Sequence, residues 1–120
     1  MTDSNFTIGF IGLGLIGGSI AKGIRRVFPN YTLIGMDENP DTIKSALEDG
    51  IIDSIATDCK TDFAECNYVF LCAPVQYNVM YLKDLKASIN ENCILTDVGS
   101  VKEEIHLKIE ELGMEEYFIG

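Results

Sequence analysis

Short, wholly apolar runs alternate along this chain with longer stretches in which apolar residues recur every three or four positions. "FTIGFIG" (6–12) is β-branched and aromatic and ends at glycine, which predicts a strand. Beyond Leu15, Ile16, Ile20, Ile24 and Val27 share one face, with Lys22, Arg25 and Arg26 elsewhere on the wheel. That spacing predicts an amphipathic helix, stopped by Pro29-Asn30. "YTLIGMD" (31–37) reads as a second strand. Asn39 then Pro40 is a cap followed by a first-turn proline, so a helix is expected over 40–49, with Gly50 at its C′ position. A weaker third strand near 53–57 leads into an irregular crossover over 60–66. "YVFLCAP" (68–74) is the most apolar strand, and Val75, Val79, Leu82, Leu85 and Ile89 stripe the helix after it. "CILTDV" (93–98) predicts a fifth strand, and Val101, Ile105, Ile109 and Leu112 stripe a last helix before "YFIG" (117–120).

Strands that are apolar throughout, each followed by a helix, imply a parallel sheet covered on both faces. Right-handed crossovers make this a doubly wound α/β domain of strand order 3-2-1-4-5-6, with "YFIG" as the sixth strand. No linker or repeat interrupts the alternation, so residues 1–120 read as one domain.

Charge narrows the partners. Nine basic against 19 acidic residues give a net charge of −10, which argues against nucleic acid or an anionic membrane. No apolar run reaches the roughly eighteen residues that span a bilayer, and "MTDSNFTI" carries no signal-peptide pattern. Cys59, Cys66, Cys72 and Cys93 form neither a CxxC pair nor a metal-ligand spacing. Four reduced, mostly buried thiols in a cytoplasmic protein are expected, with no metal.

Candidate chemistry begins at "GLGLIGGS", where Gly12, Gly14 and Gly17 stand in GxGxxG spacing between the first strand and the first helix. Gly12 permits a tight turn, Gly14 lets backbone approach a pyrophosphate, and Gly17 lets the helix pack close to the strand. The N–H groups of the first helical turn, at Leu15, Ile16 and Gly17, then face the phosphates, so an acidic protein can still bind a dinucleotide. Asp37, at the end of the second strand, follows Gly17 by 20 residues, where a carboxylate can accept hydrogen bonds from the adenosine ribose. A solvated turn or cap residue is the alternative for Asp37. With Glu38 beside it and no Arg nearby, NAD is favoured over NADP.

The opposite rim of such a crevice includes "CAPV" (72–75) and "TDVGSVKEE" (96–104). Cys72, Ala73 and Pro74 are therefore candidate cofactor contacts; Pro74, which cannot donate to a ladder, ends its strand and also suits a helix start. Ser100-Val101-Lys102-Glu103 fits a capping box, yet a cap at this mouth also presents its hydroxyl to a ligand. Asp97 suits either a backbone bridge or a ligand contact. His106, the single histidine, follows Ile105 by about 100° round the helix and is expected to face water rather than act as catalytic base.

"GFIGLGLIGGSIA", Asp37, "FLCAPV" and "TDVGSVK", in that order and at these distances, resemble the prephenate dehydrogenase family over essentially the whole chain. The resemblance implies NAD-dependent oxidative decarboxylation of prephenate to 4-hydroxyphenylpyruvate, in tyrosine biosynthesis, or of arogenate in close relatives. It also implies that Ser100 lies near the nicotinamide and the substrate hydroxyl, as an active-site residue as well as a cap. In the family a catalytic histidine in a Gly-Gly-His-Pro motif follows the sixth strand. A helical domain beyond it supplies dimer contacts and an arginine for substrate. This chain reaches Ile119-Gly120 where that motif would begin, so a cofactor-binding domain with poor or no turnover of its own is expected. Hydroxyacid and imine reductases also open with GLG-type turns, but they usually carry Met where Ile16 stands and lack the GSVK segment. A regulatory NAD-binding module without chemistry is the alternative of a different class.

Overall fold

The computed structural model describes residues 5–98 and 103–119. Strands β1 (Thr7–Ile11), β2 (Thr32–Met36), β3 (Ser54–Ile55), β4 (Tyr68–Leu71), β5 (Ile94–Asp97) and β6 (Phe118–Ile119) form one sheet in the order 3-2-1-4-5-6. Every pairing is parallel, with Gly9 level with Ile34 on one side and Val69 on the other. Helices α1 (Leu15–Val27), α2 (Pro40–Glu48), α3 (Val75–Ser88) and α4 (Glu103–Leu112) connect them, and a 3-10 turn, Glu115–Tyr117, precedes β6. This is the doubly wound sheet expected from the strand and helix alternation.

The period of two along the strands sorts side chains into two cores. Ile8, Phe10 and Leu33 pack with Ala21, Ile43 and Ala46 under α1 and α2. Ile11, Val69, Leu71 and Leu95 pack with Leu82, Leu85, Ile105 and Ile109 under α3 and α4. Phe10 and Phe70 stack on neighbouring strands at a centroid distance of 5.4 Å.

Local chemistry explains most boundaries. The Asn39 side chain accepts the Asp41 N–H at 2.9 Å, Pro40 opens α2, and Gly50 adopts φ 74° just past its end. The third strand is shorter than the 53–57 expected: at its start the Asp53 carboxylate accepts the Leu33 N–H and binds Arg25, both at 2.8 Å, and beyond its end the Thr57 N–H donates to Asp62 Oδ2 at 2.9 Å. Three further features differ from the pattern-based reading. The buried residues of α1 are Gly17 and Ala21; of the expected stripe, Ile20 and Ile24 pack against the core, whereas Ile16 and Val27 are 57% and 61% exposed, because small residues let the helix lie close along Gly17 and Ala21. The crossover at 60–66 is core: Phe63 is fully buried and fills the space a Cβ at Gly9 would need, 2.6 Å away. Finally, β4 ends at Leu71 rather than at Pro74, which instead precedes α3.

Candidate functional site

A crevice of about 250 Å³ opens at the carboxyl ends of β1, β2 and β4, where strand order reverses. The three glycines beneath it do different work. Gly12 sits at φ 95°, and a Cβ there would lie 2.6 Å from the Ala73 nitrogen, so only glycine lets the turn pass β4. A Cβ on Gly17 would come within 2.2 Å of the Gly12 carbonyl oxygen, so its lack of a side chain seats α1 on the turn. Gly14, by contrast, is exposed and a Cβ would meet nothing within 4 Å. Packing does not require glycine at 14, but close approach by a ligand would.

Gly14 caps α1 without a side chain, and the first turn carries no acid. The ladder begins at Gly18, whose N–H donates to the Gly14 carbonyl at 2.8 Å, so the N–H groups of Leu15, Ile16 and Gly17 precede it. This positive end of the helix dipole suits an anion. The side chains of Leu15 and Ile16, 93% and 57% exposed, point away into solvent. Leu15 borders a separate groove of about 440 Å³ between α1 and α2, so only the backbone of these two residues is suited to ligand.

Asp37 lies beside the glycine turn and is bonded directly to it. Its Oδ2 accepts the Leu13 N–H at 2.7 Å and its Oδ1 the Asn39 N–H at 2.8 Å. The carboxylate therefore braces both loops, which realises the turn-residue alternative. Each oxygen retains a further lone pair, so ribose hydroxyls can still be accepted.

Cys72, Ala73 and Pro74 form the far wall with Tyr77 and Tyr81. Burial first, then the nearby Asp97 charge, push the Cys72 thiol up to about 12, so it is a neutral packing group at neutral pH. The wall is held by Asn78, a fully buried residue that the apolar striping did not single out. Its Oδ1 accepts the Ala73 N–H at 3.2 Å, and its Nδ2 donates to the Ala73 carbonyl at 2.8 Å and to Asp97 Oδ1 at 3.3 Å. One amide thus ties the loop after β4 to the last residue of β5. Asn78 stands four residues before Leu82 on the inward face, and a polar side chain at that position is the signal that marks it. Of the two readings of Asp97, an internal bridge is present, to the Asn78 side chain.

Six of the expected contacts, Gly12, Gly14, Asp37, Cys72, Ala73 and Pro74, line this one crevice, while Gly17 lies buried behind it. Ser100, both as cap and as ligand contact, lies outside the described residues. His106 is exposed, as expected, and packs edge-to-face on Phe118 at 5.8 Å, beside a different hollow. All four cysteines are free, and three are buried. Among the described residues no helix is long and apolar enough to cross a membrane.

The family described as "Prephenate dehydrogenase, nucleotide-binding domain" matches residues 20–120. The prephenate dehydrogenase of Bacillus subtilis is 36% identical over 106 residues, which cover 88% of this chain and 29% of that protein. The fold is similar to prephenate dehydrogenase from A. aeolicus in complex with hydroxyphenyl propionate and NAD+, at a TM-score of 0.83 and 32% identity. That likeness covers 98% of this chain and 41% of the other. Arogenate dehydrogenase of Synechocystis is similar too, with a TM-score of 0.78 and 34% identity over 89% of this chain and 37% of that one. The chain thus spans well under half the length of each of these relatives.

Proposed function

This chain belongs to the prephenate dehydrogenase family, as its nucleotide-binding domain, and from that premise we propose that it holds NAD for the oxidative decarboxylation of prephenate to 4-hydroxyphenylpyruvate. The observation that carries this reading is the open face of Gly14 beside Asp37, within one crevice. The N–H groups of Leu15, Ile16 and Gly17 take the pyrophosphate, and the remaining lone pairs of Asp37 take the adenosine ribose hydroxyls. Gly12 and Gly17 keep that backbone in reach, and Cys72, Ala73 and Pro74 supply the facing wall. Ser100, on the resemblance, meets the nicotinamide and the substrate hydroxyl. NAD supplies the hydride acceptor, and loss of the ring carboxylate as CO₂ leaves an aromatic product.

NAD rather than NADP is favoured by the carboxylates of Asp37 and Glu38, since among the described residues no Lys or Arg lines the crevice. The resemblance assigns the catalytic histidine and a substrate-binding arginine to segments outside residues 1–120. The chain alone is therefore expected to bind NAD without turning over prephenate, and the whole enzyme to be a cytoplasmic homodimer with no nucleic-acid or membrane partner. Free, buried thiols support the compartment.

Isothermal titration of the purified chain with NAD tests the reading, with prephenate-dependent NADH formation followed in parallel. Saturable one-site binding and no turnover are expected. A flat titration would refute the nucleotide site, and rapid turnover would return His106 to consideration as the base. Arogenate as substrate is a second reading, favoured by the 34% identity to the Synechocystis enzyme. Comparing the two substrates on the whole enzyme decides between them.

A further inference from the structure

Glu38 and Tyr81 stand 43 residues apart in sequence, yet the Tyr81 hydroxyl donates to Glu38 Oε1 across the mouth of the crevice. Both residues also line a second hollow of about 340 Å³, bounded by Met36, Ile43, Ile55 and Thr57. The pair is thus the partition between two adjoining cavities, spanning from the loop after β2 to the middle of α3. Asp37 is already anchored by the Leu13 and Asn39 N–H groups, whereas Glu38 is exposed and carries three rotatable bonds. An untethered glutamate there would spend its time in solvent, where water and salt screen its charge. A half-buried tyrosine on a helix removes that freedom. Burial, then Glu38 itself, push the Tyr81 phenol further up from its ordinary value, so it remains a proton donor at neutral pH.

Resting on the nucleotide reading above, we propose that Tyr81 is a positioning residue for cofactor specificity. By fixing the Glu38 carboxylate beside Asp37, it sets a second negative charge where the 2′-phosphate of NADP would lie. Like charges held together in a crevice cost far more than two that can swing apart.

Dissociation constants for NAD and NADP, measured calorimetrically on wild type, E38Q, Y81F and the double variant, test this. The ratio of the NADP to the NAD constant should fall about tenfold in E38Q, the loss of one close like-charge contact. It should fall about threefold in Y81F, which frees the charge without removing it. In the double variant it should fall no further than in E38Q, because Tyr81 acts through Glu38. Raising the salt concentration should lower the ratio in wild type more than in E38Q. An unchanged ratio in Y81F overturns the proposal, as does an effect of Y81F that persists undiminished in the E38Q background. Wild-type protein that binds neither dinucleotide refutes the nucleotide reading itself, and this proposal with it.

Discussion

Replacing Asp37 by alanine separates the two tasks of its carboxylate. Within the protein, the substitution removes the acceptor of the Leu13 N–H, at 2.7 Å, and of the Asn39 N–H, at 2.8 Å. Leu13 is only 5% exposed, so its N–H has little access to replacement water, whereas Asn39 lies open to solvent. Stability should fall by about 1–3 kcal/mol, the cost of one buried donor left unpaired, almost all of it from Leu13. At roughly 4 °C per kcal/mol for a domain of this size, the melting temperature should drop by several degrees. Binding is a separate quantity. Lost hydrogen bonds from ribose hydroxyls to a charged acceptor are worth roughly 1.5–3 kcal/mol, or about 10- to 100-fold in Kd. Urea denaturation without ligand gives the first number, and titration with NAD well below the melting temperature gives the second. Adding ADP-ribose and AMP locates the loss, which both should share because both carry the adenosine ribose. A destabilised variant with unchanged NAD affinity would make Asp37 a loop brace only, and the assignment to ribose would be withdrawn.

The glycines make an opposed pair. Gly14→Ala should leave the melting temperature within a few degrees, since its Cβ meets nothing within 4 Å, while weakening NAD at least tenfold through contact with the pyrophosphate. Gly17→Ala should unfold more easily by about 2 kcal/mol or more, because its Cβ would sit 2.2 Å from the Gly12 oxygen, and thermal melts of the two variants give the comparison. The thiols give a pH signature. Burial is the largest cause that pushes Cys59, Cys66 and Cys72 up to about 12 and Cys93 to about 11, from an ordinary 9.0. The native state then binds more protons than the unfolded chain between those values. The associated stability is complete below about pH 9 and is lost as pH rises towards 12. Urea midpoints should decline from pH 8 to pH 10.5, and Ellman's reagent at pH 8 should label the native thiols far more slowly than the unfolded ones; rapid native labelling would contradict their burial.

Much of the fold was legible along the chain because its signals are local. Apolar strands, the Asn39-Pro40 cap, Gly50 and the GxGxxG turn each act within a few residues, and parallel connectivity follows from their alternation. The helix stripes were less informative. Periodicity identifies α1 as amphipathic, and Ile20 and Ile24 of its stripe do pack against the core, but it does not show that Gly17 and Ala21 make the closest approach to the sheet. The 60–66 segment looked irregular because it lacks periodicity, yet burial of Phe63 depends on the missing side chain of Gly9, more than fifty positions earlier.

The architecture, the position of the glycine-rich turn and the acid at the end of the second strand can all be read along the chain. These follow from backbone geometry, where each residue's freedom is set by its own side chain and its immediate neighbours. Packing in three dimensions is what brings Asp37 to brace Leu13, Asn78 to tie Ala73 to Asp97, and Tyr81 to reach Glu38. Such contacts join polar groups brought together by packing alone. A buried or anchored hydrogen bond depends on distance and orientation to fractions of an ångström, and no spacing along a chain encodes that.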